Sequence, residues 1–215
     1  MSLKVDVRKL DLFNKISKEG SRQVAASLSQ MTGIDAKIRM SKLNLLAMED
    51  VKTHLGDDKK VGIHVQLSEP PYGYVLFMLD PADSKRLAGL LLPGDDAGAE
   101  GGFSDMERSA MQEIGNIMTS GYIDGWANVL DTTIDMGTPT FTYGPAHGIV
   151  QQMGGWPDED IAFVLDSAIT ADGTDIDLTV YTFPQLHALV DLVQQIDVDA
   201  DVHEDTVAAE GLTDG

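Results

Sequence analysis

Cysteine is absent from this 215-residue chain, which excludes disulfides, thiolate nucleophiles and thiolate metal ligands together. No run approaches the ~18 apolar residues that a membrane-spanning helix needs. The opening stretch, Met1-Ser2-Leu3-Lys4-Val5-Asp6, has no apolar signal core, so the expected location is cytoplasmic. Basic residues are scarce beyond position 93: residues 94–215 carry 24 acids and one base, Arg108, a net of −23. Residues 1–93 carry 11 acids and 14 bases, a net of +3. A surface this acidic repels phosphate backbones and anionic lipid, so nucleic-acid and membrane partners are not expected. What is present is a 43% apolar composition, enough for a sizeable core, which excludes disorder throughout. The acids are 26 Asp against 9 Glu, a bias that resembles the hydrated surfaces of salt-adapted proteomes.

One linker interrupts the apolar patterning, Pro93 followed by the acidic, glycine-rich residues 94–102. Similar element orders lie on either side of it. In the first half Phe13, Ile16, Leu28 and Met31 recur at helical spacing, and Gly33 supplies a stop. In the second, Ser104-Asp105-Met106-Glu107 is a capping-box signature, followed by the stripe Met111, Ile114, Met118, Trp126 and Val129. A shift of 98 places Phe13 on Met111, Ile16 on Ile114, Leu28 on Trp126 and Met31 on Val129. Val61, Ile63, Val65 and Leu67 alternate with polar or small residues as a strand does, and Tyr74–Leu79 is a continuous apolar strand. Ile161–Leu165 and the alternating Ile176, Leu178 and Val180 are their counterparts. Each half closes on a short helix opened by proline, Pro81 into Leu87–Leu92 and Pro184 into Leu186–Val193. The pattern predicts an α+β fold: two pseudo-symmetric helix–strands–helix halves, 1–93 and 103–195, forming one mostly antiparallel sheet with the two long helices packed together on one face. Residues 196–215 read as an acidic tail outside this single domain, 1–195.

Opposite the apolar stripe of the second long helix stand Ser109, Glu113 and Asn116, at i, i+4 and i+7, with Pro139 a further 23 residues on. Taken bare, such residues are a solvated helix face. Gly115, between the two polar residues, either admits the backbone of a partner or lets the helix lie tight on the sheet, together with Gly121 and Gly125. The spacing Asp/Ser–x3–Glu–x2–Asn–x22–Pro resembles the signature of the CheC, CheX and FliY phosphatases of bacterial and archaeal chemotaxis. All four of its positions are filled here, by Ser109, Glu113, Asn116 and Pro139. The flanking Glu113-Ile114-Gly115-Asn116-Ile117-Met118 and the doubled order of elements look like CheC as well.

The resemblance implies removal of phosphate from the aspartyl-phosphate of the response regulator CheY, with Mg²⁺ and a lysine supplied by the regulator and no cofactor or metal on this chain. It implies that Asn116 places the attacking water, that Glu113 pairs with the regulator's lysine, and that Ser109, Gly115 and Pro139 support them. Family members often carry the signature twice. The first-half counterparts here are Asp11, Lys15, Lys18 and Ser41, of which only Asp11 fits, so that site is expected to be inactive. Lys15 and Lys18 are then either solvated surface or a separate docking patch. The resemblance also names a rival role, an adaptor that binds CheY-phosphate or the receptor deamidase CheD without hydrolysis. A motor-switch component like FliY is the weaker third reading, because no appended switch-type domain is visible.

The remaining residues point to no second site. The five histidines show no paired metal-ligand spacing, and His64 reads as the outward position of a strand. Gly144-Pro145-Ala146-His147-Gly148 reads as a turn and lacks the Lys-Ser/Thr of a phosphate loop. Met106, Met111 and Met118 read as core filler, and Trp126 as core. Trp156 reads as a loop residue, either a partner contact or a packed anchor.

Overall fold

The computed structural model of the protein describes residues 7–92, 102–153, 161–171 and 173–195. In chain order the elements are α1 (Val7–Thr32), β1 (Lys37–Ala47), α2 (Met48–Leu55), β2 (Lys59–Leu67), β3 (Gly73–Leu79) and α3 (Pro81–Gly89). The second half runs α4 (Asp105–Leu130), β4 (Thr140–Pro145), α5 (Ala146–Gln152), β5 (Ile161–Ala171), β6 (Thr174–Pro184) and α6 (Leu186–Gln195). Helix, strand, helix, strand, strand, helix thus occurs twice. The boundaries follow local chemistry. Ser104 caps α4 in a reciprocal capping box, its hydroxyl accepting from the Glu107 amide at 3.2 Å while the Glu107 carboxylate accepts from the Ser104 amide at 2.7 Å. Gly33, at φ +70°, ends α1 and donates to the Ser29 carbonyl at 2.9 Å, a left-handed position that suits glycine.

The six strands form one antiparallel sheet in the order β1-β5-β6-β3-β2-β4. The order is symmetric about the β6–β3 pair, but each half lends its first strand to the other: β1 pairs with β5, and β4 pairs with β2. The sheet is therefore interleaved, and neither half is closed without the other.

Both faces of the sheet are covered. The larger core lies between the sheet and the long helices, where Ile16, Leu28, Met111, Ile114, Met118 and Trp126 meet Ile63, Phe77, Leu165 and Val180. Leu87 of α3 and Leu189 of α6 join that core. Buried Tyr122 ties α4 to the sheet, its hydroxyl 3.2 Å from that of Thr182, and burial raises its pKa above the ordinary tyrosine value. A smaller core on the opposite face packs α2 and α5 against the sheet through Val51, Leu55, Leu76, Ile149, Val164 and Phe183.

The helix–helix contact is close because it is built on glycine. A Cβ at Gly121 would lie 2.9 Å from the Val24 amide nitrogen, and one at Gly125 would overlap the backbone of Gly20. These two glycines fit α4 to α1, whereas Gly115 faces the sheet, where a Cβ would run into the Ile63 side chain. Gly115 is thus set for packing on β2 and does not face outward toward a partner.

Several expectations need correction. Four elements escaped the sequence pattern: β1, α2, β4 and α5. Gly144-Pro145 ends β4 and Ala146-His147-Gly148 opens α5, so that stretch is not a free turn. Pro81 does open α3, but Pro184 is the last residue of β6 and precedes α6. His64 shares a strand face with Gly62, whose missing Cβ makes room for Ile149 of α5. That face is covered, and partial burial holds the His64 imidazole below its ordinary pKa. Met106 is exposed at 55%, unlike fully buried Met111 and Met118. Trp126 is core, as expected. Trp156, His203, the linker from Pro93 to Gly101 and the tail beyond Gln195 lie outside the described residues.

Candidate functional site

The second to fourth turns of α4 place Ser109, Gln112, Glu113 and Asn116 on one exposed helical face. Their apolar neighbours Met111, Ile114 and Met118 are turned fully into the core, which fixes the rotation of the helix about its axis. Across from that face runs the chain Met136–Pro139, leading into β4. Between the two lies an open groove of about 670 Å³, lined by Ser109, Gln112, Glu113, Asn116, Met136, Gly137, Thr138 and Pro139. Residues thirty positions apart in sequence, Ser109 and Pro139, thereby share one depression.

Both walls of the groove are referenced to β2. Helix α4 rests on it through the Gly115–Ile63 approach. The opposite wall hangs from the far end of the same strand, where Met136 forms a bridge with Leu67, the Gly137 amide donates to the Gln66 carbonyl at 2.8 Å, and the Ser68 amide donates to the Asp135 carbonyl at 2.8 Å. Beyond Gly137 the chain leaves the sheet and rejoins it at Thr140, opposite His64. Among the described residues, one side-chain hydrogen bond crosses the groove, from the Gln112 amide nitrogen to the Pro139 carbonyl at 3.3 Å. Pro139 itself is buried, while Glu113 and Asn116 are exposed.

Two features frame the site. Arg108, the one base of the second half, lies 5.4 Å from the Phe141 ring centroid and donates from Nε to the Phe103 carbonyl at 3.2 Å. On the other flank of α4 a smaller apolar groove, lined by Leu91, Leu92, Met106 and Ala110, shares Ser109 with the first. Exposed Met106 belongs to that groove, which accounts for its absence from the core.

The first-half counterparts occupy a different setting. A shift of 98 lays α1 on α4 end to end, Val7 on Asp105 and Thr32 on Leu130, and lays Ser41 on Pro139. Ser41 falls at the irregularity in β1, where pairing passes from Met40↔Ser167 to Lys42↔Asp166. The residues before it, Lys37 to Met40, stay paired with β5, whereas their second-half counterparts make one isolated bridge and then leave the sheet. The chain beside α1 stays paired in the sheet where the chain beside α4 leaves it to form a wall. Lys15 and Lys18 are exposed on α1; Asp11 lies in the same helix, though its side chain is outside the described residues.

Sequence reading found four of the groove's residues and missed Gln112, Met136, Gly137 and Thr138. Gln112 stands three residues after Ser109 and four before Asn116, so helical spacing alone puts it between them. The wall carried no such periodic signal, because it belongs to neither helix nor strand.

Known proteins resemble this chain in both sequence and fold. A model of the CheC-like family matches residues 106–143, a stretch that contains α4's exposed face, the wall and the start of β4. A Halobacterium salinarum protein named "Putative CheY-P phosphatase CheC1" is 40% identical over 196 residues, covering 91% of this chain and 100% of its own length. Among solved structures, Thermotoga maritima FliY shares the fold at a TM-score of 0.69 and 18% identity, over 89% of this chain and 97% of that one. The middle domain of FliM from H. pylori does so at 0.66 and 14%, over 89% and 100%. At those identities the structural likeness speaks to the fold, while the sequence match extends over nearly the whole chain. The chain belongs to the CheC-like family.

Proposed function

We propose that this protein accelerates hydrolysis of the aspartyl-phosphate of a CheY-type response regulator, and that the groove between α4 and Met136–Pro139 is where the regulator docks. The observation that carries the reading is the convergence of Ser109, Glu113, Asn116 and Pro139, four positions of one spaced signature, on a single exposed groove. An aspartyl-phosphate is already activated, and the regulator's own Mg²⁺ and lysine balance the charge that develops in the transition state. The remaining task is to hold a water in line with the leaving oxygen, which is a matter of positioning. A carboxamide can accept from a water and donate to it while staying neutral, which suits Asn116. Glu113 supplies a carboxylate for the regulator's lysine, a charge-assisted contact that fixes register. No nucleophile on this chain takes part, and the phosphoryl group passes directly to water. Lysine side chains, as at the first-half positions Lys15 and Lys18, carry donors and no acceptor group, and the chain counterpart to the wall stays paired in the sheet, so the reading assigns one active site per chain.

The discriminating measurement is phosphate loss from phosphorylated CheY with wild type and with Asn116→Ala. Acceleration by wild type and its loss in the variant support hydrolysis. An adaptor role, with CheY-phosphate or CheD bound and not processed, is favoured by the presence of groove residues on only one of the two long helices. It would show as regulator binding with no change in dephosphorylation rate, with and without CheD.

A further inference from the structure

Among the described residues, the Gln112 bond to the Pro139 carbonyl is the one side-chain hydrogen bond across the groove, and it joins the wall to the helix that carries Glu113 and Asn116. The wall needs such a tie. Between its last backbone bond to β2, at Gly137, and its return to pairing at Thr140, the chain spans Thr138 and Pro139. Pro139 has no N–H to donate, so its own backbone can be tied to α4 only through its carbonyl. Gln112 is well placed to use it, because its neighbours on the helix, Met111 and Ile114, are buried and allow the helix no rotation. On the other side of the helix backbone, the Thr119 hydroxyl donates to the Gly115 carbonyl at 2.7 Å and Gly115 rests on Ile63. Helix and wall are thus each set against β2, and Gln112 closes the third side of the frame.

We infer that Gln112 is a positioning residue, which through the Pro139 carbonyl sets the distance between the wall and α4 and so the place where Asn116 meets its water. The inference rests on the phosphatase reading proposed above, but the tie itself can be read without any turnover. Gln112 touches neither the phosphoryl group nor the water; Glu113 still docks the regulator when the tie is cut. Loss of the tie therefore lowers kcat and spares KM, because a misplacement on the order of 1 Å costs up to about a hundredfold in rate while the docking contacts remain.

The test uses the full chain with Gln112→Met, which keeps side-chain length and helix propensity but removes the donor, and Gln112→Lys, which restores a donor. Amide hydrogen exchange at Thr138 and Thr140 is measured in parallel with dephosphorylation of phosphorylated CheY across regulator concentrations. The expected result is faster exchange at those amides in Gln112→Met, roughly a ten- to hundredfold fall in kcat, KM within about twofold of wild type, and recovery of slow exchange in Gln112→Lys. Unchanged exchange in Gln112→Met overturns the tie. Faster exchange with unchanged kcat, or a raised KM at constant kcat, overturns the positioning role. A wild-type protein that does not accelerate dephosphorylation overturns the phosphatase reading instead, and leaves the exchange comparison to decide the tie alone.

Discussion

Glu113 and Asn116 stand less than one helical turn apart, yet their chemistry divides the work between them, an anion that can pair with a lysine and a neutral amide that can hold a water. Glu113→Ala is expected to weaken binding of the regulator by on the order of tenfold or more, measured by titration of the labelled regulator; an unchanged affinity removes its docking role. Gly115 sets two effects against each other. An alanine there gains about 0.5–1 kcal/mol of helix propensity but drives a methyl into Ile63, and overpacking of that kind costs about 1–3 kcal/mol. The clash is the larger, so Gly115→Ala should lower the unfolding midpoint. A higher midpoint would mean that Ile63 yields without cost.

At the scale of elements, the α1–α4 contact leaves no room for a larger residue, because backbone meets backbone at Gly20 and Gly125 with no flexible side chain to give way. Gly125→Val should therefore destabilise the protein more than Gly115→Ala in denaturant unfolding; a smaller loss would mean that the helices separate easily. The strand beside α1 makes another prediction. Because Lys37–Met40 stays in the sheet, restoring the signature residues by Lys15→Glu with Lys18→Asn in an Asn116→Ala background should yield no dephosphorylation beyond the regulator's own rate. Recovered activity would show that residue identity alone disabled the first half.

The elements also show what could be read from sequence. The long helices, the capping box at Ser104, the Gly33 stop and strands β2, β3, β5 and β6 were legible, since each announces itself by local period or local chemistry. Strand β1 was not, because it is an edge strand with Lys37, Arg39 and Lys42 among its apolar residues, and its irregularity at Ser41 breaks the alternation. Strand β4 ends in Gly144-Pro145, which imitates a turn and is tolerated because β4 pairs on one side only. The interleaved order follows from pairings between distant segments that no local pattern records. At the site, the four signature residues were legible by spacing, whereas the wall and Gln112's partner depend on where β2 holds Met136 and Gly137.

For the whole molecule, interleaving has a thermodynamic consequence. The larger core draws buried residues from both halves, so the halves are expected to unfold together in one transition. The net charge of −20 opposes that compact state through self-repulsion, and salt screens it. Stability is therefore predicted to rise from low to multimolar KCl, measured by thermal unfolding; full stability without salt would count against salt adaptation. The same charge shapes recognition. The groove lies in the half that carries 24 acids and only Arg108 as a base, so a regulator that docks there should present a basic surface around its active-site lysine.

The most direct test of the account is the decay of phosphorylated CheY with wild-type protein and with Asn116→Ala, at matched regulator binding. The account predicts faster decay with wild type, and decay at the regulator's own rate with the variant. Equal decay rates with both proteins and with the regulator alone, in the presence and absence of CheD, would contradict it.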